Sequence, residues 1–139
     1  MFQRILVPVD LTEKSLKAVD AALELAAATK SGVTLLHVIE TIEHVKFDEM
    51  KSLYQRLENS AQKGLEEFSQ QFKERNVSVN TAITFAHRSQ GIINFAIENR
   101  SDLIIMASHR IDPDRPGHDW TTISYGVSIL SPCAVLLVK

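Results

Sequence analysis

The sequence predicts an α/β fold built on a doubly wound parallel sheet, and three observations carry that reading. Strand-like and helix-like patterns alternate along the whole chain, the pattern left by successive β-α-β units. The strand-like runs are almost continuously apolar, as in Leu103-Ile104-Ile105-Met106, so both faces of the sheet must be covered by helices. No Gly/Ser-rich linker, low-complexity tract or internal repeat interrupts the 139 residues, of which 45% are apolar and 23% charged. That size and composition suit one domain spanning residues 1–139.

The elements follow in order. Ile5-Leu6-Val7-Pro8-Val9 reads as the first strand, ending at Asp10, and Leu16, Val19, Leu23 and Ala26 then recur at helical spacing. Val33 to Ile39 is the second strand. Met50, Leu53, Leu57, Ala61, Leu65, Phe68 and Phe72 form one long helical stripe after it. Val77 to Ile83 alternates as a half-exposed third strand should, and Ile93, Ala96 and Ile97 mark the next helix. Leu103 to Met106 is the fourth strand. Ile123, Val127 and Leu130 mark a last helix, Ser131-Pro132 ends it, and Ala134 to Val138 is the fifth strand. The expectation is five strands and four helices.

Composition excludes several function classes. A net charge of −2 with scattered lysines and arginines does not suit nucleic-acid binding. No apolar run reaches the roughly 18 residues of a membrane span, and Met1-Phe2-Gln3-Arg4 leads directly into a strand with no signal-peptide pattern. The expectation is a cytoplasmic protein. The single cysteine, Cys133, cannot form an internal disulfide and reads as a small packed residue.

In doubly wound sheets, ligands occupy the crevice at the strand carboxyl ends where the strand order reverses. That rule points to Pro8-Val9-Asp10 and Met106-Ala107-Ser108, followed by His109-Arg110 and a hydroxyl-rich helix start at Thr121, Thr122 and Ser124. Asp10 has two readings. It, or Thr12, caps the following helix; or its carboxylate accepts hydrogen bonds from a ribose hydroxyl or a base amine.

At these residues the chain resembles the universal stress protein family over essentially its whole length. The matching stretches are Arg4 to Asp10, Leu35 to Ile39, Asp102 to Ser108 and Ser131 to Val138. The resemblance implies a five-stranded parallel sheet in the order 3-2-1-4-5 and a homodimer through the fifth strand, Ala134 to Lys139. A terminal Leu-Leu-Val strand at a sheet edge agrees, since another chain must cover it; Leu137 is the position to probe if it faces the partner. For members that bind ATP, the resemblance places Asp10 and Val38 at the adenosine.

Those members wrap the phosphates with a motif of Gly, two residues, Gly, nine residues, Gly, then Ser or Thr. Aligned on Met106, its first two glycines become Ala107 and Arg110. The third falls at Thr121, with Thr122 as the hydroxyl, after a one-residue insertion. All three glycines are replaced. Alanine or arginine there reshapes the loop or fills the phosphate space, whereas Ser108, His109 and Arg110 can reach an anion through side chains.

The loop after Arg110 raises a separate class of reading. His109, Asp112, Asp114, His118 and Asp119 place five metal-ligand types within eleven residues, and mixed imidazole and carboxylate shells suit borderline divalent metals. Their spacing matches no standard site, and a solvated, turn-rich loop is the favoured reading. Magnesium enters only as a bridge from Asp112 or Asp114 to a bound triphosphate. Nucleophilic catalysis has little support, because no Gly-x-Ser-x-Gly elbow exists and Cys133 has no identifiable base. The resemblance allows at most slow ATP hydrolysis or self-phosphorylation on Thr121, Thr122 or Ser124. His37, within an apolar run, reads as a satisfied core residue. Two readings therefore stand: a stress-response dimer without standard ATP binding, and an ATP- or AMP-binding stress regulator with a glycine-poor phosphate loop.

Overall fold

The apolar runs pair into one parallel sheet in the order β3-β2-β1-β4-β5. The computed structural model describes residues 1–110, 114 and 122–139. Its strands are β1 (Arg4–Pro8), β2 (Gly32–Glu40), β3 (Val79–Ala86), β4 (Leu103–Ala107) and β5 (Ala134–Val138). Its α-helices are α1 (Leu16–Thr29), α2 (Lys51–Glu74), α3 (Arg88–Glu98) and α4 (Ile123–Leu130), with short 3₁₀ turns at Glu13–Ser15 and Phe47–Met50. β1 lies between β2, with Pro8 opposite Leu36, and β4, with Ile5 opposite Leu103. The chain direction across the sheet thus reverses between β1 and β4.

Side-chain alternation along the strands divides the core in two. Ile5, Val7, Val9, Leu35 and Ile105 face α1 and α2, where they meet Val19, Ala22, Leu65 and Phe72. Leu6, Leu36, Val38, Ile104 and Met106 face α3 and α4, where they meet Ile92, Ile93, Ala96 and Val127. The inner strands β1 and β4 are therefore apolar on both sides, which is why their runs are continuous, whereas the edge strand β3 keeps polar Asn80 and Thr81 exposed. At the far end of the sheet from the crevice, the Asp102 carboxylate accepts from the backbone N–H groups of Gln3 (2.7 Å) and Arg4 (3.0 Å), fixing β1 beside β4.

Some boundaries move. β3 begins at Val79, not Val77, because the Val77 N–H bonds back to the Phe72 carbonyl (2.9 Å) in the turn that ends α2. It runs on to Ala86 because β2 extends to Glu40 and the two residues pair. On α2, Leu57 is 41% exposed while Tyr54 is 3% exposed, its hydroxyl accepting from the Ile42 N–H. Tyr54 stacks on Phe47 and meets Phe85 edge-on, which draws the start of the helix toward β3. His37 is satisfied as expected, with Nδ1 donating to the Val9 carbonyl at 2.8 Å. Among the described residues, no helix is long and apolar enough to cross a membrane.

Candidate functional site

β1 delivers Asp10 to the carboxyl end of the sheet, and a tight local network then holds it. Leu11 adopts a left-handed conformation (φ 69°), which costs a non-glycine residue about 1–2 kcal/mol. That turn folds the chain back so that Asp10 Oδ1 accepts from the Thr12 N–H (2.9 Å), the Thr12 hydroxyl (2.7 Å) and the Ser15 hydroxyl (2.8 Å). Ser15 Oγ in turn accepts from the Asp10 N–H at 2.9 Å. Burial raises the Asp10 pKa, but the bonds from Thr12 and Ser15 and the charge of Lys14 outweigh it, so the carboxyl titrates below its ordinary range. Capping itself falls to Thr12, whose hydroxyl accepts from the Lys14 N–H in the 3₁₀ turn. Asp10 Oδ1 thus organises the turn, and Oδ2 has no partner among the described residues.

β4 delivers the facing wall. Ser108 bonds in three directions: its N–H donates to the Val138 carbonyl of β5 (2.8 Å), its hydroxyl pairs with Ser124 Oγ (2.9 Å), and its carbonyl accepts from Lys17 Nζ (2.6 Å). Thr122 stands at the start of α4, with Oγ1 3.5 Å from Ser124 Oγ. His109 lies edge-on to the Tyr125 ring, whose hydroxyl donates to the His109 carbonyl at 2.8 Å. His109 Nδ1 donates to the Arg110 carbonyl (3.2 Å), and Nε2 is buried with no hydrogen-bond partner among the described residues.

Between the two walls lies a cleft of ≈ 960 Å³, within the range of small-molecule sites. Pro8, Val9, Asp10, Met106, Ala107, Ser108, His109, Thr122 and Ser124 all line it, as their positions at the strand ends suggested. Val38 does not. It is 4% exposed and packs under α3, its Cγ1 within 3.0 Å of where a Gly91 side chain would begin. Arg110 is exposed and is not among the lining residues either. Thr121 lies outside the described residues. So do Asp112, His118 and Asp119 of the metal reading, and the described residues hold no group of three potential metal ligands.

Sequence reasoning missed Ser15, Lys17 and Arg88, which also line the cleft. A usable signal existed for Lys17. Lys14 and Lys17 are three residues apart at the start of a helix whose buried face is Ala18, Val19 and Ala22, so both lie on the flank next to the strand ends.

A parallel sheet with its crevice at the β1/β4 reversal, a carboxylate on one wall and hydroxyls on the other defines a Rossmann-like α/β domain. The chain belongs to the universal stress protein family, whose model matches residues 1–139. It is 28% identical over 149 residues to universal stress protein YxiE of Bacillus subtilis, covering 100% of both chains. A universal stress protein solved in complex with cAMP superposes with a TM-score of 0.77 at 17% identity, over 99% of this chain and 97% of that one. The universal stress protein from Archaeoglobus fulgidus in complex with dAMP gives 0.72 at 15% identity, over 100% of both.

Proposed function

We propose that this protein is a stress regulator that holds an adenine nucleotide with a short phosphate chain in the β1/β4 cleft, and does so without the standard ATP cradle. The observation that carries the reading is Asp10. Its carboxyl is ionised at neutral pH, Oδ1 is occupied, and Oδ2 has no partner among the described residues beside an open cleft. Such an oxygen accepts hydrogen bonds and nothing else, which suits a ribose hydroxyl or a base amine. The cAMP and dAMP bound by two structural relatives carry both groups or one of them and a single phosphate. Ala107 on the cleft wall and Arg110 outside it, where ATP-binding members of the family are expected to carry glycine, argue against wrapping a triphosphate.

Binding rather than catalysis is the activity this geometry serves. Ser108 and Ser124 bond to each other, and no imidazole or carboxylate stands at hydrogen-bond distance from either hydroxyl among the described residues. Association belongs to the same proposal. Among the described residues β5 is paired only with β4, Leu136 is 43% exposed on it, and Ile129 and Leu130 at the end of α4 are 75% and 64% exposed. An open apolar edge of this kind is covered by a second copy in a symmetric dimer. Hydrogen exchange with AMP tests the site: added nucleotide should protect the amides around Asp10 and Ala107, and unchanged exchange at both would remove the proposal.

A further inference from the structure

Resting on the nucleotide reading, we propose that Lys17 is the phosphate-binding residue of this cleft, an ammonium that takes over for a single phosphate group the contact a glycine loop makes with backbone N–H groups. The cleft as a whole has no field to attract an anion, because Lys14, Lys17 and Arg88 are matched by Asp10, Glu13 and Asp20 along its walls. Position must therefore select the cation. Arg88 leans on Glu40 at 3.8 Å, and the charge of Lys14 acts on Asp10. Lys17 alone of the three reaches across to the end of β4, its Nζ 2.6 Å from the Ser108 carbonyl.

Lys17 also declines the acids nearest to it. Glu13 lies four residues before it and Asp20 three after, spacings at which helical ion pairs form, yet Lys17 makes no ion pair among the described residues. Among the described residues this part-buried ammonium meets only the Ser108 carbonyl, which leaves two of its three N–H donors without a partner there. The same Ser108 pairs its hydroxyl with Ser124. The pair uses one of its two hydroxyl protons, so with Ser124 as the donor the Ser108 hydroxyl is free to donate to an anion beside the ammonium. One point charge and one hydroxyl suit a phosphate monoester; a triphosphate would place its further charges against Asp10, Glu13 and Asp20.

The test is a titration of the full chain with adenosine and with AMP, on the unmodified protein and on Lys17→Met and Lys17→Arg. The unmodified protein should prefer AMP by about tenfold or more, Lys17→Met should bring the AMP-to-adenosine affinity ratio close to one, and Lys17→Arg should keep most of the preference. A ratio that survives Lys17→Met overturns the proposal. So does an equal loss for both ligands, which would make Lys17 only a tether for Ser108. Adenosine binding with no preference for AMP in the unmodified protein overturns Lys17 while leaving the nucleotide site; binding of neither overturns both.

Discussion

Ser15 and Asp10 hold each other from both sides. The Ser15 hydroxyl donates to Asp10 Oδ1 at 2.8 Å and accepts from the Asp10 N–H at 2.9 Å. Ser15 is 3% exposed at the foot of α1, so a buried side chain in the helix sets the carboxylate at the end of the strand. The conformation of the site and the packing of α1 are therefore one structural unit.

Replacing Ser15 with alanine removes both bonds and leaves the Asp10 N–H unpaired in a part-buried setting. The expected cost is about 1–2 kcal/mol, read as a lower urea midpoint with an unchanged slope. AMP affinity should fall as well, although Ser15 need not touch the ligand. Full stability in the variant would show that the pair does not hold the turn.

The depressed pKa of Asp10 gives the pH dependence its sign. Because the folded value lies below the ordinary 3.8, the ionised carboxylate stabilises the fold above 3.8 and that contribution is lost as pH falls through the folded value. The stability advantage of the unmodified protein over Asp10→Asn should shrink on acidification from neutral pH to about pH 3. Urea midpoints across that range check it; an advantage that grows with acid contradicts it.

Gly91→Ala tests the packing above Val38. A Cβ on Gly91 would sit 3.0 Å from Val38 Cγ1, 3.1 Å from Ala86 Cβ and 3.3 Å from Val38 Cγ2. Alanine gains about 1 kcal/mol in helix propensity, but the Ala86 Cβ is fixed to the backbone of β3 and cannot yield. Overpacking of this kind costs about 1–3 kcal/mol, so the net change should be a small destabilisation, by thermal melting. A stabilised variant would mean that α3 can shift off the sheet.

The two leucines of β5 should behave differently. Leu136 is 43% exposed, whereas Leu137 packs against the Leu6 and Ile104 side of the core. Leu136→Lys should turn the proposed dimer into a monomer in light scattering while leaving the melting temperature of the fold nearly unchanged. Leu137→Lys should lower the melting temperature clearly, because it sets a charge against the core at a partly buried position. Dimers that survive Leu136→Lys would place the interface elsewhere.

What could be read from the sequence, and what could not, divides by range. The apolar runs of β1, β4 and β5 and the stripe from Ala61 to Phe72 are visible because burial repeats locally along the chain. The crevice was legible for the same reason: Asp10 and Ser108 end apolar runs. The reach of Lys17 to Ser108 spans 91 residues of sequence and exists only because β1 and β4 are neighbours, so no local pattern announces it. Val38 shows the opposite limit. It follows Leu36 by two, and that parity turns it under α3 instead of toward the cleft. Parity puts Leu136 on the face of Val138 and Leu137 on the opposite face with Val135, and at this sheet edge Leu136 is left 43% exposed.

Calorimetric titration with AMP and with ATP, each with and without magnesium, on the unmodified chain and on Asp10→Ala tests the central claim most directly. The account predicts that AMP binds, that ATP gains nothing from its extra phosphates, and that Asp10→Ala abolishes the heat. Absence of heat and of any thermal shift with both nucleotides on the unmodified chain would contradict it.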